Sequence, residues 1–171
     1  MQRTLGVQTL TGLAQPILGD VTTAAVVAAP DGVPALITVA STTIYQVGDR
    51  IVLEPNTVNS DAYRVSQIQS STILQCVPEA APKAHLTGVI IAFSLAFSEL
   101  TIQAVYGTNG SIWIASDNTV TNAGLGNVVF QVTPNLPFKR YPAGGNNPNF
   151  TTEFWMAAVS AIQAIVSVEV V

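Results

Sequence analysis

No run longer than about a dozen residues in this chain both repeats its apolar positions at the 3.6-residue helical period and carries helix caps at its ends. What recurs is alternation at every second residue in short runs, each closed by Gly, Pro, Asn, Asp or Ser. With 12 Gly and 10 Pro spread over 171 residues, the chain is punctuated too often for long helices. The expectation is an all-β chain.

The clearest alternation lies between Tyr45 and Gly88, in Arg50 to Glu54, Ala62 to Ile68 and TILQCV at 72–77. Gly48-Asp49, Pro55-Asn56 and Gln69-Ser70-Ser71 are the turns between them. With Ala35 to Ser41 before and Val89 to Phe93 after, these strands predict a small barrel or sandwich module over 35–93. Pro30-Asp31-Gly32-Val33-Pro34 is the sharpest break in the chain and places a boundary there. The Ala-rich stretch before it, 21–29, reads equally as strand or short helix.

Leu5 to Gly19 reads as one strand or two short ones. Leu100 to Tyr106 and Ser111 to Ala115 flank Asn109-Gly110, the strongest local hairpin signal. VVFQVTP at 128–134, TEFWMAAVS at 152–160 and AIQAIVSVEVV at 161–171 complete the strands, the last two suiting a hairpin about Ser160 to Ile162. If the opening strand pairs with the C-terminal half, residues 1–30 and 94–171 form one discontinuous, jelly-roll-like β-sandwich with the 35–93 module inserted. The alternative is two consecutive domains split near residue 95.

Composition narrows the function. Hydrophobic residues make up 49% and charged residues only 9%, against roughly 25% charged in an average soluble domain. A surface so poor in charge, with mean hydropathy +0.43, favours a protein that covers part of itself in an assembly. The net charge is −4 and the cations are scattered, apart from Lys139-Arg140. No basic stripe follows a phosphate backbone, so nucleic acid is not an expected partner. The apolar run from Phe154 to Val168 is shorter than the 18 to 20 residues of a membrane helix and is interrupted by Ser160, Gln163 and Ser167. MQRTLGVQTLTG lacks the apolar centre of a signal peptide, so synthesis in the cytoplasm is expected.

Candidate chemistry is sparse. His85 is the single histidine and Cys76 the single cysteine, which removes His-pair metal sites and intrachain disulfides. Cys76 reads as a buried inert thiol, and His85 as a turn residue bonded to backbone or a carboxylate. Asp49, Glu54 and Asp61 are close in sequence but match no calcium-loop spacing and read as a solvated rim. No Ser stands in a nucleophile elbow, and the Gly-rich stretch at Ala143 to Asn147 lacks the Lys and Ser or Thr of a phosphate loop. The matches to the glycosylation pattern at Asn109 and Asn149 carry little weight without a signal peptide. Trp113, Phe154, Trp155 and Tyr141 could form a sugar platform, although aromatic residues in strands more often fill cores. No catalytic residue, cofactor or metal is expected. The candidate interaction residues are loop residues: Asp117, Asn118, Asn122, Tyr141, Asn146 and Asn147.

The stretch 36–90, with YQVGDRIVLEP, AYRVSQIQSSTILQCV and AHLTG, resembles a small β module of tailed-bacteriophage virion proteins. QTLTGLAQPIL at 8–18 and SIWIASDNTVTNAGLGNVVFQVTP at 111–134 are similar to strand and loop units of the same group, with Pro134-Asn135 where the usual pattern has Pro-Gly. The resemblance implies a non-enzymatic virion structural protein, foremost a capsid decoration (cement) protein on the outer capsid surface. It would be a homotrimer bound to the major capsid protein. A tail, baseplate or fibre component that acts as an adaptor or binds a host glycan is the alternative.

Overall fold

A computed structural model describes residues 2–10, 13–17, 19–30, 32–105, 110–116, 118–121, 123–133, 135–141, 151, 154–158 and 162–170. Among them there is no α-helix, and the chain is all-β as the spacing of its breakers requires. The residues divide into two units, Met1–Leu18 with Leu95–Val171, and Gly19–Ser94.

The first unit is a sandwich of two four-stranded antiparallel sheets. Its strands are β1 (Gln2–Thr9), β2 (Gln15–Pro16), β9 (Phe97–Ala104), β10 (Ile112–Ala115), β11 (Val128–Val132), β12 (Phe138–Arg140), β13 (Trp155–Ala158) and β14 (Gln163–Val170). One sheet runs β1-β14-β9-β12 and the other β11-β10-β13-β2. Counted within this unit, the first strand pairs with the eighth, the second with the seventh, the third with the sixth and the fourth with the fifth. That nesting is a long antiparallel hairpin, and the pairs β14 with β9 and β13 with β10 show it wrapped around itself. The result is the eight-stranded jelly roll of two Greek keys.

This topology corrects two expected hairpins. β9 and β10 lie in different sheets, and so do β13 and β14. Wrapping sends each of these connections from one sheet to the other, which overrides the local turn signal. At the first crossing Gly110 has φ of 150°, and a Cβ there would meet Ile162 Cδ1. The glycine therefore marks a close approach of two chain segments, while Asn109 lies outside the described residues.

The alternation turns one residue of each pair into the sandwich. Phe97, Leu100, Ile102 and Ala104 of β9, Ala164, Val166 and Val168 of β14, and Ile112 and Ile114 of β10 are all buried. A run of tilted rings, Phe97 to Phe154 (6.2 Å), Phe154 to Phe138 (5.7 Å) and Phe138 to Phe130 (5.4 Å), fills part of the interior. Thr151 is the one polar residue buried in this unit among the described residues. Its hydroxyl accepts a hydrogen bond from Leu95 N–H at 3.0 Å.

The second unit is one antiparallel sheet of β3 (Gly19–Val21), β4 (Ala35–Thr38), β5 (Arg50–Leu53), β6 (Asp61–Ile68), β7 (Ile73–Pro78) and β8 (Ile90–Phe93), in the order β3-β8-β5-β6-β7-β4. The two outer strands meet again: Thr22 bridges Val39, and Thr23 N–H donates to the Thr38 carbonyl at 2.8 Å. The sheet thus curls toward a small barrel. Ile37, Ile51, Leu53, Tyr63, Val65, Leu74, Cys76, Ile91 and Phe93 point inward and are buried.

Residues 19–30, expected with the flanking sandwich, belong partly to this sheet. β3 pairs with β8, and Val26 bridges His85. The unit boundary therefore falls between 18 and 19 rather than at Pro30. A three-residue strand such as β3 carries too little alternation to be read from sequence, and its partner is about 70 residues away along the chain.

Candidate functional site

The most organised polar group in the described structure is a histidine clasped by two carboxylates in the barrel unit. The β5–β6 connection, residues 54–60, leaves β5 at Glu54 and enters β6 at Asp61. It is a tight turn: Glu54 and Asn56 have φ of 47° and 63°, and the Thr57 hydroxyl donates to the Glu54 carbonyl at 2.9 Å. Positive φ is unusual for Glu, so contacts outside the turn must hold it.

Glu54 N–H donates to the Ile90 carbonyl at 2.9 Å, and its carboxylate is held by His85. The His85 side chain is fully buried, with Nδ1 3.1 Å from Glu54 Oε1 and Nε2 3.1 Å from Asp61 Oδ2. The imidazole bridges the two ends of the turn. Its backbone is fixed by reciprocal 2.9 Å hydrogen bonds with Val26. Nearby, Thr22 Oγ1 accepts from the N–H groups of Gly88 and Val89. Asp61, 8% exposed, also accepts from Lys83 N–H and lies 3.5 Å from the Tyr63 hydroxyl. Lys83 Nζ stands 3.6 Å from Asp61 Oδ1 and donates to the carbonyls of Val58 and Ser60.

Asp49, Glu54 and Asp61 are therefore not a solvated rim. Asp49 and Asp61 are buried, and Glu54 is 22% exposed. Asp49 lies apart and accepts from Gln46 N–H at 2.7 Å, closing the turn that enters β5. The missed signal is one of parity: Asp61, Tyr63 and Val65 alternate, so Asp61 shares the inward face of β6. Among the described residues no three His, Cys, Asp or Glu side chains are grouped to hold a metal ion.

Three further titratable groups are buried in the barrel unit, Tyr45, Tyr63 and Cys76. Tyr45 packs on Phe93 with centroids 4.8 Å apart and donates its hydroxyl to Asp20 Oδ2 at 2.8 Å. Burial first, then the Asp20 charge, pushes its phenol far above the usual range. Burial, then Asp61, does the same to Tyr63. Burial alone pushes the Cys76 thiol up to about 12. The expected buried thiol is found, and it is a poor nucleophile at neutral pH.

Of the six loop residues picked from the sequence, Asn118 and Tyr141 are exposed, the latter at 56%. Asp117, Asn122, Asn146 and Asn147 lie outside the described residues. The described part of 116–127 packs back onto its sheet. Val120 is buried with Ala115, Trp155 and Ala157, and Gly124 lies so close to Trp113 that a Cβ would come within 2.8 Å of the ring.

The four aromatic residues considered as a sugar platform form no exposed surface, and Trp113 packs half-buried against the cluster that holds Trp155. Phe154 packs tilted on Phe97 and edge-on against Phe138, Trp155 is buried with Val120, and only Tyr141 is exposed. Trp155 also carries a buried indole N–H without a partner, which costs about 1–3 kcal/mol against its burial.

On the sandwich, a recess of about 160 Å³ is lined by Glu99, Thr101, Ser167 and Glu169. Glu99 there is already engaged by Lys139 at 3.7 Å and by the Thr101 hydroxyl at 3.0 Å. No described helix is long and apolar enough to cross a membrane. Comparison with protein-family models, curated proteins and solved structures returns no match for this chain.

Proposed function

We propose that the chain is a non-enzymatic structural protein of a tailed-phage virion, a decoration protein that binds the major capsid protein as a homotrimer and stabilises the outer shell. The observation that carries this reading is the jelly roll itself, an architecture used by viral capsid proteins, lectins and cupins. The interior of this sandwich is apolar apart from Thr151 among the described residues, so its core offers packing and no titratable group. The resemblance of the 36–90 and 111–134 stretches to virion modules supports the same choice.

The surface agrees with an assembled state. Leu13 (73% exposed), Val27 (79%), Val58 (100%) and Leu86 (78%) present aliphatic side chains on a chain with only 9% charged residues. Contacts of this kind are individually weak and gain strength when three arms of one trimer engage together. They are also insensitive to ionic strength, because screening acts on charges.

Purified protein incubated with shells that lack it should pellet with them, saturably. Raising salt from about 0.1 M to about 1 M, which shortens the screening length about threefold, should leave the affinity within a few-fold. Absence of binding to shells, or a loss of affinity by orders of magnitude with salt, would contradict the proposal. Recovery on tails alone would assign the protein to the tail instead.

A further inference from the structure

We propose that His85 is a proton-operated latch on the 54–60 turn: doubly protonated it holds the turn closed, and loss of one proton releases the turn at Glu54. The geometry sets the requirement. Each ring nitrogen faces a carboxylate oxygen at 3.1 Å, and a carboxylate can only accept. Both contacts are hydrogen bonds when both nitrogens carry hydrogen. With one hydrogen removed, a nitrogen lone pair of the fully buried ring faces a negative oxygen.

The surroundings decide which side opens. From β6 come Asp61 and, through it, the Tyr63 phenol; from the 79–88 connection comes Lys83; from the end of β5 comes Glu54. The 22–26 segment has no titratable side chain and holds His85 through backbone alone. Asp61 is buried and keeps Lys83 N–H, the Lys83 ammonium and the Tyr63 hydroxyl without the imidazole. Glu54 is more exposed, and beyond His85 its carboxylate has a 3.5 Å contact with Asn59 Nδ2. The remaining imidazole hydrogen therefore stays with Asp61, while Glu54 turns to water. Glu54, held at positive φ, then relaxes, and the turn loosens against the remaining hold of Lys83 Nζ on the Val58 and Ser60 carbonyls. Backbone pairing of His85 with Val26 does not depend on the proton and stays closed.

The chain has one histidine, so its imidazole nitrogen resonances need no assignment. They can be followed by NMR through a pH titration, with hydrogen exchange of the Thr57 and Ser60 amides measured alongside. As the imidazole loses its proton, these two amides should exchange about tenfold faster than the intrinsic pH trend requires, a local opening. Glu54→Gln is the control. Its amide accepts from Nδ1–H or donates to bare Nδ1, so the turn should stay closed and the extra pH dependence should vanish. An imidazole that keeps both protons throughout, an unchanged exchange profile on titration, or the wild-type profile in Glu54→Gln would each overturn the latch.

Discussion

Replacing His85 with Ala should destabilise the barrel unit by about 1–3 kcal/mol, the cost of leaving buried hydrogen-bonding groups without their partner. The loss is not mainly one of packing. It leaves Asp61, 8% exposed, and Glu54, 22% exposed, facing a void that the imidazole had filled, with Lys83 the nearest cation to Asp61. Glu54, at positive φ, loses its side-chain tie at the same time and keeps only the hydrogen bond of its N–H to the Ile90 carbonyl outside the turn.

Reporters for the two units are separate. Cys76 is buried in the barrel, whereas Trp113 and Trp155 both lie in the sandwich. The expected result is faster alkylation of Cys76 and a lower urea midpoint for that signal. Adding Glu54→Gln to His85→Ala removes one of the stranded charges, and the cycle should show a coupling of about 1–3 kcal/mol. An unchanged midpoint in His85→Ala, or strict additivity in the cycle, would show the clasp to be energetically idle.

Alkali should unfold the barrel cooperatively. Tyr45, Tyr63 and Cys76 all have their deprotonation pushed up by burial, and all three lie in this unit. The folded chain holds these protons more tightly than the unfolded chain. Their contribution is therefore whole below the unfolded-state values and is lost as pH rises through the folded-state ones. For Cys76 that window runs from 9.0 to about 12. A shift of that size corresponds to about 4 kcal/mol, and the two phenols add to it at higher pH. Tyrosinate absorbance from Tyr45 and Tyr63 should thus appear in one step with Cys76 alkylation and loss of barrel circular dichroism. Gradual ionisation with the fold intact to about pH 12 would show that these groups are hydrated.

Legibility of the sequence tracked the locality of the information. Arg50–Leu53, Asp61–Ile68 and Ile73–Pro78 were readable because alternation and turn residues lie within the strand or beside it. Phe138–Arg140 was not, since two of its three residues are exposed cations and its pairing partner, β9, is far away in sequence. The hairpin signals failed for the same physical reason. Asn-Gly specifies a turn, but wrapping decides whether the chain returns to the same sheet.

The site was half legible. Asp61 could be placed inward by parity with Tyr63 and Val65. The meeting of Glu54, Asp61 and His85 could not, because it depends on a connection without regular structure, anchored on Val26 from beyond the Pro30 break.

A count of copies on the intact particle separates the proposed shell protein from a tail protein. A particle reconstruction should show density for a β-sandwich and a small barrel at symmetry-related positions on the outer capsid, on the order of hundreds of copies and grouped in threes. A bare shell with a handful of copies at the tail would rule out a decoration protein.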